Sequence, residues 1–220
     1  AEMTTPPLPS NHAGRLLAAV TALVAILALT LQYRVAAGLE TRPADTPVWW
    51  WLAGYFTVLT NLGAAGLMTA TALRHRPSAA VQGGLVVAIL MVGLVYHAIL
   101  ARLWSPQGLA FWADQGLHSA VPALVAGWWI CFGDRRVSLA DLPGWLIWPA
   151  LYAAYALIRG ALTGFWPYPF LDADQLGWPR VALNVAGQVL AFAALGVGLI
   201  GLARASVRAS VRASVRASVR

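Results

Sequence analysis

The sequence has little of what soluble proteins carry on their surfaces. Only 10% of its 220 residues are charged, against about 25% in an average soluble domain. Its single cysteine, Cys131, excludes an intramolecular disulfide and a cysteine-rich metal site. In place of charge, the chain is 60% hydrophobic and has eleven tryptophans, a residue enriched where membranes meet water. This composition indicates a membrane protein.

Lysine is absent as well, so all fifteen basic residues are arginine. This usage is typical of GC-rich coding sequences and suggests a bacterial chain. The net charge of +7 owes much to residues 205–220, where Ala-Ser-Val-Arg is repeated four times. Such a tail suits anionic lipid headgroups if it is helical, although a low-complexity tail without a specific role is the simpler interpretation. We expect membrane lipids as partners and no nucleic acid.

Long apolar runs divide the chain into three parts. We predict a disordered N-terminal arm at 1–14, a membrane domain at 15–203 and an arginine-rich tail at 204–220. Several runs approach the roughly 20 residues needed to cross a bilayer, so we predict an all-α bundle of six transmembrane helices. Their expected ranges are 16–36, 48–73, 80–103, 115–132, 142–160 and 181–203.

Six crossings would place both ends of the chain on one side of the membrane. Arginines at 74, 76, 135 and 136, together with those of the tail, lie on that side. Because loops on the cytoplasmic side carry an excess of basic residues, the termini are predicted to be cytoplasmic. The predicted location is a bacterial plasma membrane.

The stretch from Asp114 to Pro122 is the most unusual part of an apolar run. Asp114 is expected to cap the start of a helix, with His118 one turn inside. Pro122, four residues after His118, has no N–H to offer the carbonyl of residue 118. An ionisable side chain beside a freed carbonyl is costly in lipid and marks a functional site by default. The alternative is a kinked helix whose histidine bonds a neighbour.

Other polar side chains are expected at a similar depth in the membrane. At about 1.5 Å per helical residue, they fall in the half distant from the cytoplasm. We predict a polar pocket there, covered by the loop 161–179. The expected members are Thr57, Asn61, His97, His118, Arg159 and Asn184. For each residue alone, hydrogen bonding between helices is the alternative, and Arg159 could instead extend to lipid headgroups.

The residues of this pocket allow more than one chemistry. A threonine hydroxyl needs an adjacent base to act as a nucleophile, and His118 could serve Thr57 if their helices are neighbours. Asn61 or a histidine N–H could stabilise an oxyanion, while Arg159 could hold an acidic head group. His97 and His118 could instead ligate a haem. A polar pocket also permits a lipid-binding or transport bundle without catalysis.

Three segments carry a resemblance to a known family. They are Tyr55-Phe56-Thr57-Val58-Leu59-Thr60-Asn61, Leu117-His118-Ser119-Ala120-Val121-Pro122 and Tyr168-Pro169-Phe170-Leu171-Asp172. They resemble the androgen-induced protein family, in particular its bacterial branch. Animal members are multipass hydrolases of fatty acid esters of hydroxy fatty acids that use an intramembrane threonine and histidine. The proline follows the histidine one residue earlier here than in the family.

This resemblance implies a lipid ester hydrolase without cofactor or metal. Thr57 would be the nucleophile, with Thr60 one turn away as the alternative, and His118 would be the general base. Asn61, His97, Arg159 and Asn184 would support the pocket. We therefore expect an enzyme that cleaves carboxylic esters of lipids, with a non-catalytic lipid-binding or transport bundle as the main alternative.

Overall fold

The computed structural model describes residues 12–40 and 42–218, with the backbone alone for 207–218. Within this part of the chain, every regular element is helical, so the all-α prediction is confirmed. The predicted N-terminal arm falls mostly outside the described residues. The helices are α1 (His12–Ala37), α2 (Val48–Leu52), α3 (Phe56–Ala72), α4 (Ala79–Ala98), α5 (Leu109–Gln115), α6 (Val121–Phe132), α7 (Leu142–Thr163), α8 (Ala173–Leu176) and α9 (Trp178–Ser218).

Among the described residues, four helical segments are long and apolar enough to cross a membrane. They are His12–Ala37, Ala79–Arg102, Leu139–Thr163 and Trp178–Ser206. Helix α3 is also apolar but shorter. Large side chains on these segments stay exposed, among them Leu162 at 79% and Leu190 at 70%. Exposed apolar side chains of this size are unfavourable in water and expected against lipid.

Helix α1 packs through a stripe of small residues. Ala18, Ala22 and Ala25 are 5% exposed or less, and their spacing places them on one face of the helix. This face lies along α3 and α5. A Cβ atom on Gly116 would lie 2.6 Å from the Cβ of Ala28, so α1 also approaches the start of the α5–α6 connection closely. Small residues allow such close helix packing in membranes.

Helix α4 lies at the centre and contacts α3, α6, α7 and α9. Trp145 of α7 packs against Gly83 and Gly84, and a Cβ on Gly84 would lie 3.0 Å from the Trp145 ring. The Trp145 indole also donates a 2.8 Å hydrogen bond to the Ala80 carbonyl. One tryptophan therefore fixes the crossing of α4 and α7.

Two predicted features of the helices differ in the structure. The run 48–73 is not one helix, because a turn at 53–55 separates α2 from α3; the carbonyl of Gly54 in this turn accepts a 2.8 Å hydrogen bond from Tyr152. Asp114 is not a helix cap, since α5 begins five residues earlier at Leu109. Asp114 has the side chain of a typical N-cap, but helical residues already precede it.

Candidate functional site

Asp114 places a carboxyl group inside the apolar bundle. Its side chain is 1% exposed. Tyr96 of α4, itself 4% exposed, donates its hydroxyl to Asp114 Oδ2. The amide nitrogen of Gln115 lies 3.4 Å from the same oxygen. Because a buried carboxylate without partners is strongly unfavourable, these donors are what allow Asp114 to occupy this position.

His118 completes this group from the next helical turn. Its Nδ1 lies 3.0 Å from the Asp114 carbonyl oxygen and 3.3 Å from Asp114 Oδ1. A carbonyl oxygen can only accept, so Nδ1 carries a proton. The imidazole stacks on the Tyr96 ring, with centroids 4.0 Å apart and planes at 13°. Tyr96, Asp114 and His118 are called the Asp114 cluster below.

The backbone between α5 and α6 departs from regular α-helix beside this cluster. Residues Gly116–Ala120 form a π-helical turn, in which the Val121 N–H bonds the Gly116 carbonyl. This confirms the departure that Pro122 predicts. A Cβ on Gly93 of α4 would lie 3.0 Å from the His118 carbonyl oxygen, so a glycine lets α4 approach the freed carbonyl. Single π-helical turns occur frequently at functional sites.

A series of hydrogen bonds connects the Asp114 cluster with the surface of the bundle. The Ser119 hydroxyl donates to Gln115 Oε1 over 3.0 Å. His97 Nε2 lies 3.0 Å from the same hydroxyl, and the His97 side chain is exposed. Since Gln115 also contacts Asp114, polar groups follow one another from exposed His97 to buried Asp114.

Thr57 lies beside this series without joining it. Its hydroxyl is 3.4 Å from the Tyr168 hydroxyl, and no hydrogen bond in the described part of the chain connects it with His118. Asn61, which is fully buried, links α3 with the π-helical turn. Its amide donates to the carbonyls of Thr57 over 2.9 Å and Leu117 over 3.2 Å.

A small cavity adjoins Thr57. Its volume is about 50 Å³, enough for water but well below the roughly 300 Å³ of a typical ligand pocket. Burial raises the pKa of the Tyr168 hydroxyl above its usual value. The lining residues are Phe56, Thr57, Met91, Val92, Val95, Leu100, Pro149, Tyr152, Tyr168, Phe170, Gln188 and Phe192.

Arg159 of α7 forms a separate group with aromatic residues. It is 6% exposed, and its guanidinium carbon lies 4.4 Å from the centre of the Trp50 ring and 4.5 Å from that of Phe165. Its Nη1 donates a 2.9 Å hydrogen bond to the Tyr155 hydroxyl. Trp50, Tyr155, Arg159 and Phe165 are called the Arg159 cluster below.

The predicted pocket residues thus occupy several places. His97 and His118 lie at the two ends of the polar series. Thr57 borders the cavity, and Asn61 bonds the carbonyls of Thr57 and Leu117. Asn184 donates a 2.9 Å hydrogen bond to the Phe170 carbonyl, which anchors the loop over the cavity. The two histidines of the haem alternative, His97 and His118, both contact the Tyr96 ring, and their ring centroids lie 5.0 Å and 4.0 Å from the Tyr96 centroid.

The sequence analysis did not predict that Tyr96 and Gln115 contact Asp114, or that Tyr168 contacts Thr57. The spacing of Asp114 and His118, four residues apart, was a usable signal because such residues face each other on a helix. Tyr96 is adjacent to His97 in an apolar run, and this position was a second signal in the sequence. The contact of Tyr168 with Thr57, 111 residues away in sequence, had no local signal.

Comparison with known proteins finds relatives that are named as transporters. The chain is 30% identical over 124 residues to the human protein called solute carrier family 52, riboflavin transporter, member 3. It is 27% identical over the same length to the proteins of that name from Ailuropoda melanoleuca and Bos taurus. Each match covers 56% of this chain and 26% of the relative, so the chain spans about a quarter of the relatives' length. No family model and no solved structure matches.

These relatives contradict the hydrolase interpretation. They are transporters by name, whereas the resemblance to the androgen-induced protein family implied an enzyme acting on lipid esters. That resemblance and the predicted hydrolase activity are therefore wrong. The geometry agrees with the correction, because a nucleophile needs its base within hydrogen-bonding reach and the Thr57 hydroxyl faces Tyr168 instead. Transporter relatives and long apolar helices together support a membrane protein.

Proposed function

We propose that this chain is a membrane transport module that carries a small organic solute across the bilayer. The observation that carries the proposal is the Asp114 cluster, a carboxyl group 1% exposed within an apolar bundle. Ionisable groups at membrane depth are rare because they are costly, and they mark solute and ion pathways in transporters. The similarity to riboflavin transporters over 56% of the chain supports the same class of function.

The proposed module, residues 15–203, crosses the membrane six times. Four crossings are the long apolar segments. The fifth is the continuous helical stretch of α5, the π-helical turn and α6, with 7, 5 and 12 residues, which is about 36 Å long at 1.5 Å per residue. The sixth is α3, whose 17 residues give about 25 Å, extended by the turn and α2.

An even number of crossings would leave both termini on one side. The distribution of arginine supports the cytoplasm as that side, and arginine in place of lysine supports a bacterial plasma membrane. Membrane lipids are then the surrounding partners. The break between α2 and α3 and the π-helical turn have the character of the interrupted helices that form binding sites in transporters.

Riboflavin is the first solute to test, because the relatives are named for it. The aromatic walls and the hydroxyls of Thr57, Tyr152 and Tyr168 around the cavity suit a planar ring with polar edges. A cavity of about 50 Å³ cannot hold such a molecule. We therefore propose that α3, α4, α7 and α9, which surround it, separate during transport.

The test is uptake by liposomes that contain the purified full chain. We expect riboflavin to enter faster than into protein-free liposomes and with saturation. Asp114→Asn should slow the initial rate by about 10- to 100-fold, the usual scale for losing hydrogen bonds to a charged group. The matched control is Asp134→Asn, since the carboxylate of Asp134 bonds only Arg136 among the described residues. Uptake no faster than in protein-free liposomes would overturn the proposal.

A further inference from the structure

We propose that the Arg159 cluster binds a phosphate group, namely that of an anionic membrane lipid. The guanidinium has five N–H donors and no acceptor. In the described part of the chain, only Nη1 finds an acceptor, the Tyr155 hydroxyl at 2.9 Å. Nε is buried without a hydrogen-bond partner, and Nη2 also has none there. A side chain 6% exposed is therefore left with most of its donors unused.

No carboxylate of the described residues forms an ion pair with Arg159. The two acidic side chains of the neighbouring loop are engaged elsewhere. Asp174 accepts a 2.7 Å hydrogen bond from the Trp166 indole, and Asp172 accepts one of 3.0 Å from the Gln175 N–H. The described part of the chain thus gives the positive charge no counter-ion, and an external anion can supply one.

The surroundings hold the guanidinium plane in place before any ligand arrives. The Trp50 and Phe165 ring centres lie 4.4 Å and 4.5 Å from the guanidinium carbon, so two aromatic rings pack against the charged group. A Cβ on Gly54 would lie 2.9 Å from Nη1, which means that the turn between α2 and α3 follows the shape of the side chain. Such preorganisation lowers the entropy that binding costs.

The chemistry of the Arg159 guanidinium and the location of this side chain both favour an anionic lipid as the ligand. A guanidinium edge pairs with two oxygens of a phosphate through parallel hydrogen bonds. Trp49 and Trp50, 64% and 39% exposed, mark the level where lipid headgroups lie. Ile158 and Leu162 on the same helix are 61% and 79% exposed, which offers apolar surface to acyl chains. An anionic phospholipid satisfies both requirements, whereas free phosphate satisfies only the first.

Native mass spectrometry of the full chain in a neutral detergent tests the site. The probes are phosphatidylglycerol, phosphatidylcholine and inorganic phosphate. We expect phosphatidylglycerol to bind in preference to phosphatidylcholine. Arg159→Gln should weaken phosphatidylglycerol binding by about 10- to 100-fold, the scale for a hydrogen bond to a charged group. Arg180→Gln removes an exposed arginine at the start of α9 and should change it less than about twofold.

A milder variant keeps the test decisive if Arg159→Gln does not fold. Tyr155→Phe removes one oxygen and frees Nη1 to turn, so binding should weaken by about two- to tenfold. Phosphatidylglycerol binding that neither variant changes would overturn the proposal. Displacement of the lipid by inorganic phosphate at equal concentration would overturn the assignment to a lipid. The site does not depend on transport, so riboflavin uptake decides neither outcome.

Discussion

Asp114 and Arg159 are both buried in the bundle, but their surroundings differ. Asp114 has Tyr96 and Gln115 as donors and His118 at 3.3 Å. Arg159 packs against two aromatic rings and has one acceptor among the described residues, Tyr155. One carboxyl oxygen of the acid accepts two hydrogen bonds, whereas most donors of the base have no partner among the described residues. The fold thus supplies donors to the acid from neighbouring side chains, and it leaves most donors of the base for a ligand.

The largest effect is expected when the acid is removed. Asp114→Leu takes away the acceptor of the Tyr96 hydroxyl and the partner of His118, leaving buried polar groups unpaired. Breaking a buried pair in this way costs about 3–5 kcal/mol, so the free energy of unfolding in detergent should fall by that amount. Asp134→Leu is the control at a loop position. A loss at Asp114 no greater than at Asp134 would contradict the structural role of the cluster.

A smaller loss is expected when one donor of the same cluster is removed. Tyr96→Phe keeps the ring that stacks on His118 but removes the hydroxyl that donates to Asp114. The loss of one hydrogen bond to a charged group should lower the free energy of unfolding by about 1.5–3 kcal/mol. Tyr33→Phe, at a position 47% exposed on α1, serves as the control. Equal stability of the two variants would show that the Tyr96 hydroxyl contributes nothing.

Removing the base should cost less than removing the acid. Arg159→Met loses the contacts with the Trp50 and Phe165 rings, each worth about 0.5–2 kcal/mol, but also removes a buried charge without a counter-ion. Replacing buried charges with apolar groups is often neutral, so we expect a net change within about 1 kcal/mol in lipid-free detergent. Thermal unfolding with and without phosphatidylglycerol measures it, and the lipid should stabilise only the unsubstituted chain. If Arg159→Met lowered the free energy of unfolding as much as Asp114→Leu does, the two clusters would not differ in their contribution to stability.

The smallest effect is expected at the outer end of the polar series. His97 is exposed and contacts the Ser119 hydroxyl. Exposed substitutions usually change stability by about 0.5 kcal/mol or less, so His97→Ala should leave thermal unfolding nearly unchanged. A shift comparable with that of Tyr96→Phe would mean that the series stabilises the fold along its whole length.

The sequence predicts the parts of this architecture that depend on local pattern. Apolar runs predict the long helices, and Pro122 predicts a local departure from regular α-helix because proline lacks an N–H, though not that the departure is a π-helical turn. The break at Gly54 escapes prediction, since Trp49-Trp50-Trp51 and the residues after Tyr55 form one apolar run. The contact of Tyr168 with Thr57 is not predicted from the sequence for another reason. It depends on how a loop folds back onto α3, which no local pattern encodes.

The crossing of α4 and α7 has a mechanical consequence. Trp145 occupies the space that side chains would fill at Gly83 and Gly84, and its indole holds the Ala80 carbonyl. The two helices cannot move closer there, and separating them breaks that hydrogen bond. Relative motion of α4 and α7 is therefore easiest as a swing about the tryptophan, with the displacement growing toward the far end of α4, where Tyr96 and His97 lie. A rotation of a few degrees at this pivot would change the spacing around the cavity while leaving the crossing itself intact.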